Sequence, residues 1–459
     1  MRTGLAGLRA QLDRSLFLDS PPADRRLAGW EKAALVVSLL AIGVVLQLLR
    51  IGWSASLDSL WAEDGPIFLQ ATLFQGFADA VFTPYAGYLV VVPRLIGEGA
   101  NLLPLEDAAA AISVLSAAVV ALSGLAVWFA AAGHIRNPYL RGTLAALTVI
   151  TPVASLESID SAAYVAWYML FATFWLLLWR PRTTWGAALG ALFVLATALS
   201  SPGVWFFLPV AALRALAIRD RRDLMILAAY FLGGVIQIPV LAANQGDTVD
   251  PSWSSEIWAA YVQRIVDGAA FGQELGGSLW AHLGVPFLVA LCIAAAAALV
   301  LLVRRSGPAG RWLAAIAIPT SLLLFVVSVY QRAVGSEMGW GPGSFGGAGG
   351  RYTIVPALLL VSAALALIED SPWKRHWRGG LSLAGLAATA ILLLSLVTSF
   401  DERDQATRGT PPWEAALKDA AAQCRAGNLP EVMVPTSPPS FGMQVPCARI
   451  ADLAERPPG

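Results

Sequence analysis

The sequence is poor in charged residues. They make up 14% of its 459 positions, whereas a soluble domain has about 25%. Hydrophobic residues account for 57%, and the mean hydropathy is +0.64. A chain with so little polar surface cannot cover a globular fold in water. Its repeated apolar runs, each about 17 to 25 residues long, instead predict an all-α, polytopic membrane protein.

Residues and motifs that carry common chemistries are also scarce. The histidines His134, His282 and His376 are scattered, which argues against a zinc site. The sequence has no glycine-rich phosphate loop that ends in Lys-Ser or Lys-Thr, and no Gly-x-Ser-x-Gly elbow, so neither an ATP motor nor a nucleophile-elbow enzyme is indicated. Its 31 basic and 31 acidic residues give a net charge of zero, which offers no sign of nucleic-acid binding.

The apolar runs predict eleven transmembrane helices. Short connections that this count places in the cytoplasm carry arginine or lysine, and those placed outside are acidic or neutral, as the positive-inside rule requires. The N-terminus is then cytoplasmic and the C-terminus extracytoplasmic, in a membrane that the Arg-, Ala- and Gly-rich composition suggests is bacterial. The predicted spans lie near residues 33–51, 108–132, 140–156, 162–179, 185–200, 203–218, 224–243, 283–303, 312–330, 352–368 and 380–399.

These spans imply three regions in the chain. A cytoplasmic arm at 1–32 precedes a transmembrane domain at 33–400, and a small extracytoplasmic tail follows at 401–459. The transmembrane domain carries two long outer loops, at 52–107 and 244–282. The outer loops and the tail are therefore expected on one side of the membrane, where a site built from them would lie.

One segment of the first outer loop is apolar enough to be mistaken for a span. Residues 87–103 hold Arg94 and Glu98, and counting them as a span would invert the charge bias of every later loop. We therefore expect a helix that lies at the outer interface or partly re-enters the membrane. The i,i+4 spacing of the two charges would let them neutralise each other on that helix.

The cysteines agree with this topology. Cys424 and Cys447 both lie in the predicted extracytoplasmic tail, where an oxidising compartment permits a disulfide. Such a bridge would staple a lobe that has no large core of its own. Cys292 falls inside a predicted span, where it is expected to serve only as a small packing residue.

An acidic pair, Glu63 and Asp64, stands about ten residues beyond the first predicted span. If the substrate is a lipid-linked sugar, a carboxylate there can take the proton of an acceptor hydroxyl as a general base. The turn residues Gly65 and Pro66 would hold the short Asp64 side chain rigidly. We therefore predict Asp64 as the base and Glu63 as its partner, with one pKa raised by their repulsion.

Glu157 and Asp160 form a second acidic patch in a predicted outer loop. They could contact a sugar or, together with Glu63 and Asp64, hold a divalent ion such as Mg²⁺ or Mn²⁺. The alternative is that they face water and serve only to keep that loop outside. The sequence leaves the need for a metal open.

Cations are rare in the predicted outer loops, which makes those present informative. Arg351 and Tyr352 begin the tenth span directly after a glycine-rich stretch. The helix dipole mildly disfavours a guanidinium there, but a bound phosphate would reverse this. The alternative is an arginine that snorkels to the interface beside its aromatic neighbour. The other candidate substrate-binding residues in these loops are Arg94, Arg332, Tyr85 and Tyr88.

Taken together, these features resemble the GT-C superfamily of membrane glycosyltransferases. The resemblance rests on Glu63-Asp64 in the first outer loop, on the second acidic patch, and on Arg351-Tyr352 at the head of a late span. It implies a GT-C-like membrane domain and a sugar donor on a polyprenyl phosphate, used at the outer face with inversion at the anomeric carbon. It also implies that Asp64 or Glu63 is the base and that Arg351 contacts the lipid phosphate.

The same resemblance implies a glycan or lipid acceptor in the cell envelope and a hexosyl- or pentosyltransferase surrounded by membrane lipids. Two other interpretations stay open. The chain could be a flippase or another transporter of lipid-linked sugars, or a non-catalytic membrane scaffold of the same fold. Convergence of Glu63, Asp64 and Arg351 on one outer-facing cavity would favour the enzyme, and a path through the midplane would favour the transporter.

Overall fold

The protein is a helical bundle with one small sheet near its C-terminus. Its structure is a computed structural model. The residues that it describes are 2–21, 28–244, 256–332, 349–371, 382–401, 412–427, 429–438, 440–451 and 453.

The first half of the chain supplies short helices between long ones. These helices are α1 (Arg2–Ser15), α2 (Gly29–Arg50), α3 (Trp53–Leu57), α4 (Gln70–Phe74), α5 (Phe77–Phe82), α6 (Val91–Asn101), α7 (Ala108–Ala130), α8 (Pro138–Val149), α9 (Val165–Leu178) and α10 (Thr184–Ala198). Tighter or wider helical turns join them. The 3₁₀ turns include Ala62–Asp64, Leu156–Ser158, Ala162–Tyr164 and Pro202–Phe207, and a π-helix covers Gly65–Leu69.

The second half contains the longest helices and the sheet. Its helices are α11 (Leu208–Leu216), α12 (Arg221–Ala243), α13 (Ile257–Tyr261), α14 (Gly268–Arg305), α15 (Pro308–Arg332), α16 (Arg351–Glu369), α17 (Leu383–Thr398) and α18 (Trp413–Gly427). A π-helix, Val262–Asp267, joins α13 to α14. Strands β1 (Glu431–Pro435) and β2 (Gly442–Pro446) pair antiparallel, with Met433 opposite Gln444.

Six helices in the described ranges are long and apolar enough to cross a membrane, which is the pattern of a multi-pass membrane protein. A seventh span results if α10 and the helix Pro202–Leu216 count as one span bent by 120°. Each of the eleven predicted spans overlaps a helix, but the count of eleven is not confirmed. Helices α8 and α9 have only 12 and 14 residues, and α10 breaks just before Pro202. The six long helices are Gly29–Arg50, Leu105–Gly133, Arg221–Ala243, Ile257–Arg305, Pro308–Gln331 and Arg351–Glu369.

The ambiguous apolar segment of the first loop forms only one short helix. Helix α6 has 11 residues, which at 1.5 Å per residue is too short to cross a bilayer. The expected pairing of Arg94 with Glu98 is not found among the described contacts. The guanidinium instead donates a hydrogen bond of 2.9 Å to the carbonyl of Ile67, at the π-helix that follows the acidic pair.

The second predicted outer loop is helical in its described part. From Ile257 onward, α13, the π-helix and α14 run through the region predicted as a loop. The charged residues Arg264 and Asp267 hid this helix from a hydropathy reading, yet both are buried. Helix α14 is interrupted at Gly272 and Gly284, whose φ angles of +75° and +59° favour glycine.

Two helices form the centre of the bundle. Nearly every side chain of α9 and α16 is buried, and the two helices contact each other. Both begin at the same end of the molecule, beside the connection that precedes α9. Their N-termini therefore bring residues near 157–164 and near 351 together.

The tail packs on the first outer loop. Trp413 donates from its backbone to Asp58 and from its indole to Leu105, each at 2.9 Å. Cys424 and Cys447 form a disulfide that joins α18 to the residue after β2, with Cα atoms 5.6 Å apart. The tail and the first loop thus share one side of the molecule.

Candidate active site

The acidic pair lies in a turn that the C-terminal tail holds in place. Ala62 has a φ of +40°, which is uncommon for a residue with a side chain. Its N–H donates to the carbonyl of Ser437, and the Ser437 N–H donates at 2.8 Å to Leu60. Contacts far apart in sequence therefore fix the conformation that directs Glu63 and Asp64 to different partners.

Glu63 is half-buried between two tyrosines. The Tyr85 hydroxyl donates to Oε1 at 3.2 Å, and the Tyr164 hydroxyl donates to Oε2 at 3.1 Å. The two hydroxyls come from opposite sides of the carboxylate, one from the first loop and one from the turn before α9. Glu63 therefore links these two parts of the site.

Asp64 is only 1% exposed and faces the turn before α9. Its Oδ1 accepts hydrogen bonds from the Ser161 hydroxyl at 3.2 Å and from the Ala163 N–H at 3.0 Å. Burial raises the pKa of Asp64 to about 8, and the neighbouring charge of Glu63 adds to the rise, although the hydrogen bond from Ala163 opposes it. A carboxyl with this pKa can take up and release a proton near neutral pH.

Glu157 and Arg351 form a second pair at the start of α16. The Arg351 Nη1 donates to Glu157 Oε2 at 2.7 Å. Glu157 Oε1 also accepts from the backbone N–H groups of Gly349 and Arg351, at 3.1 and 3.0 Å. The N–H groups that the sequence suggested for a phosphate are thus held by a carboxylate of the chain itself, which the helix dipole favours. The Arg351 side chain remains 24% exposed.

Tyr164 connects the two pairs. The Arg351 guanidinium carbon lies 5.3 Å from the Tyr164 ring centroid, while the hydroxyl of the same tyrosine donates to Glu63. On its other side the guanidinium lies 4.7 Å from the ring of Tyr352 and donates to its hydroxyl. Trp167 packs edge-on against Tyr352. Arg351 and Glu63 therefore both contact Tyr164, one at its ring and the other at its hydroxyl.

Asp160 lies apart from this chain of contacts. Its Oδ2 accepts from the Ser56 hydroxyl at 2.8 Å, and Oδ1 is buried with no partner among the described atoms. Burial raises the pKa of Asp160 to about 7, against the lowering effects of Ser56 and of Arg50. A cavity of about 20 Å³ beside it has room for about one water. Asp160 precedes Ser161 and so supports the turn that holds Asp64.

Arg94 also lies away from Arg351, behind the acidic turn. It is 4% exposed, its guanidinium carbon lies 5.7 Å from the Phe68 ring, and its Nε has no partner among the described atoms. Tyr88 exchanges backbone hydrogen bonds with Tyr85, at 2.9 and 3.2 Å. Arg94 and Tyr85 both line a groove of about 330 Å³ between the first loop and the C-terminal sheet.

One sequence-based site prediction, Arg332, is not tested, and another, the metal site, does not form among the described residues. Arg332 ends α15, and its side chain lies outside the described residues. The four carboxylates do not gather into a metal site, because Glu157 binds Arg351 and Asp160 binds Ser56. Among the residues that the structure describes, no three Asp, Glu, His or Cys side chains are grouped for a metal ion.

Sequence reasoning missed Tyr164, Ser161 and Ala163, which join the predicted residues into one site. A signal was present, since Ser161 follows the second acidic patch directly. It also missed the tail residue Ser437, which holds the acidic turn. That contact spans 375 residues and has no local pattern.

No protein-family model matches the chain, and no curated protein matches it significantly. Among solved structures it is similar to the archaeal oligosaccharyltransferase AglB from Archaeoglobus fulgidus in complex with an inhibitory peptide and a dolichol-phosphate. Identity is 12% and the TM-score is 0.43, over 87% of this chain and 59% of that one. A second structure of the Archaeoglobus fulgidus oligosaccharyltransferase, tethered with an acceptor peptide, matches at 12% identity and TM-score 0.39 over the same shares.

The chain is also similar to the arabinofuranosyltransferase AftD from mycobacteria, at 16% identity and TM-score 0.43, over 90% of this chain and 30% of that one. It thus spans less than two thirds of each matched structure. These names belong to sugar-transferring enzymes, the class that the sequence resembles. A TM-score below 0.5 does not establish a shared fold, so the function rests on the contacts of the site itself.

Proposed function

We propose that the protein transfers a sugar from a polyprenyl-phosphate donor to a glycan or lipid acceptor of the cell envelope. The observation that supports this most is the meeting of Glu63 and Arg351 at Tyr164. A glycosyl transfer of this kind needs a base for the acceptor and a cation for the leaving phosphate within one sugar's reach. The acidic turn and the head of α16 supply these groups.

In the proposed reaction Asp64 is the general base. As the acceptor oxygen attacks the anomeric carbon, its proton passes to the Asp64 carboxylate. The bond from the anomeric carbon to the phosphate oxygen breaks, and its electron pair leaves with the polyprenyl phosphate. The anomeric configuration is inverted. Arg351 stabilises the leaving phosphate through the guanidinium N–H groups that Glu157 does not use, because Nη1 is the one guanidinium nitrogen that donates to Glu157 in the described contacts.

Glu63 is proposed as the positioning partner of this base. Both of its oxygens already accept from tyrosine hydroxyls, so its geometry is fixed by Tyr85 and Tyr164. The charge of Glu63 also helps to keep the pKa of Asp64 high. Glu63→Gln should therefore lower turnover less than Asp64→Asn. A larger loss in the glutamine variant would transfer the role of base to Glu63.

A divalent ion fits this site poorly. Glu157 is already paired with Arg351, and burial favours the neutral form of Asp64, so the carboxylates do not offer several charged oxygens to one ion. The proposed steps are therefore assigned to side chains alone. Transfer measured with Mg²⁺, with Mn²⁺ and with a chelator tests this assignment, and a strict requirement for either ion would overturn it.

The site is proposed to face the outside of a bacterial plasma membrane, with the N-terminus in the cytoplasm. The arginines and lysines in the predicted inner loops support this orientation. An impermeant thiol reagent should label Cys424 and Cys447 in whole cells only after reduction, in a protein whose Cys292 is replaced by alanine. Labelling that needs lysed membranes would place the tail, and with it the acidic turn, in the cytoplasm.

The decisive experiment is a lipid and glycan profile of a deletion strain. One glycoform should disappear and one lipid-linked sugar should accumulate, which also names the sugar. Wild-type protein should restore the profile, and Asp64→Asn should not, although it reaches the membrane in equal amount. Restoration by Asp64→Asn would leave only a transporter or a scaffold role.

A transporter is the second candidate, and one observation favours it. Asp267 is fully buried in the helical segment Ile257–Arg305, and neither of its carboxylate oxygens has a partner among the described atoms. Buried ionisable groups of membrane proteins are often functional. If Asp267→Asn blocks flipping of a lipid-linked sugar in proteoliposomes while Asp64→Asn does not, the transporter replaces the enzyme.

A further inference from the structure

The groove beside the acidic turn is walled by two parts of the chain. One wall is the first loop, with Gln70 and Gln75, and the other is the outward face of the sheet, with Glu431 and Gln444. At about 330 Å³ it has the size of a small-molecule pocket. A groove of this volume accommodates the end of a chain-like ligand rather than a long stretch of it.

The walls are held together by specific contacts. The Gln444 N–H donates to the Gln70 side chain at 2.7 Å, which ties β2 to α4. The disulfide between Cys424 and Cys447 fixes the sheet to α18 from behind. Two contacts of the fold therefore hold the sheet side of the groove in place.

The lining indicates a neutral, hydroxyl-rich ligand. Amide groups such as those of Gln75 and Gln444 both donate and accept hydrogen bonds, as sugar hydroxyls do. Phe74 and Tyr85 offer ring surface. The charges are of both signs, with Glu431 exposed at the rim, so the groove has no field that would select an anion.

A buried donor at the groove lacks a partner. Arg94 lines the groove and is 4% exposed, and its Nε has no hydrogen-bond partner among the described atoms. Nη1 is already bound to Ile67, which fixes the guanidinium in place. That Nε is closed to solvent, so it is not counted as a ligand contact, and Arg94 serves as a fixed part of the groove wall.

The groove reaches the reaction centre through Tyr85. This tyrosine lines the groove and donates to Glu63 Oε1, whereas Tyr164 donates to Oε2 from the side of Arg351. One tyrosine that contacts this carboxylate therefore also lines the groove, and the other also contacts Arg351.

Building on the proposed function, we infer that this groove is the acceptor subsite and that it takes the non-reducing end of a neutral glycan. The donor enters on the Arg351 side. The amides of Gln75 and Gln444 set the position of the acceptor sugar. Tyr85 lies between this sugar and the acidic pair, so the reactive hydroxyl of the sugar is directed toward that pair. The C-terminal sheet is then a specificity element, not only a stabilising lobe.

The test uses the full chain in nanodiscs with two kinds of probe. Neutral di- and trisaccharides of glucose, mannose and arabinose probe the groove, and undecaprenyl phosphate probes the donor side. At least one saccharide should bind, and Gln444→Trp, which fills the groove, should weaken it tenfold or more. Gln423→Trp, at an exposed position of α18 outside the groove, should bind it normally. Gln75→Ala should weaken saccharide binding severalfold, and it leaves the residues of the sheet unchanged.

The donor probe should give the opposite pattern. Arg351→Ala should lose undecaprenyl phosphate and keep the saccharide, while Gln444→Trp should keep the phosphate lipid. Loss of the phosphate lipid in Gln444→Trp would mean that the groove holds the donor and would overturn the inference. So would saccharide binding that survives Gln444→Trp, or the absence of any saccharide binding to wild type.

Complementation of the deletion strain separates this inference from the proposed function. If wild type restores the missing glycoform and Gln444→Trp restores it equally well, the enzyme stands and the acceptor groove is wrong. If wild type restores no glycoform, the proposed function itself fails. The expected result is restoration by wild type and by Gln423→Trp, with little product from Gln444→Trp.

Discussion

Two charged clusters lie at opposite ends of α9, and they differ in how their charges are matched. At the end of α9, the guanidinium of Arg214 donates to Leu177, Trp179 and Asp223 at 2.6, 2.8 and 2.9 Å. Arg180 adds a salt bridge to Asp13 of the N-terminal arm. In this arginine cluster, buried cations meet carboxylates and carbonyls, although Nε and Nη1 of Arg180 have no hydrogen-bond partner among the described atoms.

At the start of α9 the balance is different. Asp64 and Asp160 are both buried, and burial raises the pKa values of these carboxyls to about 8 and about 7. Their partners are hydroxyls and N–H groups, and no cation forms a salt bridge with either among the described residues. The fold gives up stability at this end, which is what a site that must move a proton requires. The predictions below test whether one cluster serves chemistry and the other only folding.

Asp64→Asn should give the largest effect. Asparagine keeps an acceptor for Ser161 and Ala163 but cannot take a proton, so turnover should fall by about 10²–10⁴-fold. The measurement is product formation per membrane-inserted molecule. Asp79→Asn, an exposed acid on α5 of the same loop, should retain full activity. Normal turnover in Asp64→Asn would make the acidic site a structural cluster like the other.

Asp223→Ala should break the arginine cluster instead. It leaves Arg214 buried without its carboxylate and should cost about 3–5 kcal/mol of stability. Thermal unfolding in detergent measures this, and turnover per folded molecule should be unchanged. Asp220→Ala, which removes the N-cap of α12 and a half-exposed ion pair with Arg222, should cost about 1 kcal/mol. A selective loss of turnover in Asp223→Ala would mean that this cluster also takes part in the reaction.

The two clusters were not equally predictable from the sequence. The basic inner loops and the membrane class follow from local composition. Glu63, Asp64, Glu157 and Arg351 were predicted from their place in outer loops, from their sequence neighbours and from the family resemblance. Their connections were not predictable, because Tyr164 lies 101 residues from Glu63 and the choice of Glu157 as the partner of Arg351 spans 194 residues. The span count is not confirmed where helices are short or broken, since hydropathy does not report a bend.

Arg351→Ala should raise the donor KM by about ten- to a hundredfold, because a charge-assisted hydrogen bond is worth about 1.5–3 kcal/mol. Arg351→Lys should recover only part, since the planar fork is lost. Glu157→Gln separates binding from folding, because it weakens the ion pair but keeps the guanidinium. It should raise the donor KM less than Arg351→Ala. Equal effects of the two variants would make the pair structural, as in the arginine cluster.

The raised pKa of Asp64 predicts how the stability and the activity of the protein depend on pH. Between the ordinary pKa of 3.8 and the folded value of about 8, folded Asp64 keeps its proton while the unfolded chain releases it. Stability from this group therefore falls as pH rises through that window, and Asp64→Asn should remove that part of the slope. Activity should move the other way and rise up to about tenfold per pH unit below about 8. Activity that is flat from pH 6 to 9 would exclude Asp64 as the base.

Gly65→Ala should give the smallest effect, and it tests how the acidic site is held. The arginine cluster is joined largely by contacts within residues 177–223, whereas the acidic turn depends on the tail. A Cβ at Gly65 would lie 2.8 Å from the Cγ2 of Thr436, a side chain that is only 2% exposed and has little room to move. The sheet should shift by a few tenths of an ångström, at a cost of about 1–3 kcal/mol.

That shift should loosen the hydrogen bonds between Ala62 and Ser437, so turnover should fall severalfold along with stability. Gly76→Ala is the matched control, because it lies in the same loop and a Cβ there meets nothing within 4 Å. Thermal unfolding and turnover of the two variants should be compared side by side. If Gly65→Ala is as stable and as active as Gly76→Ala, the tail does not hold the acidic turn. Both clusters would then be held by contacts within their own part of the chain.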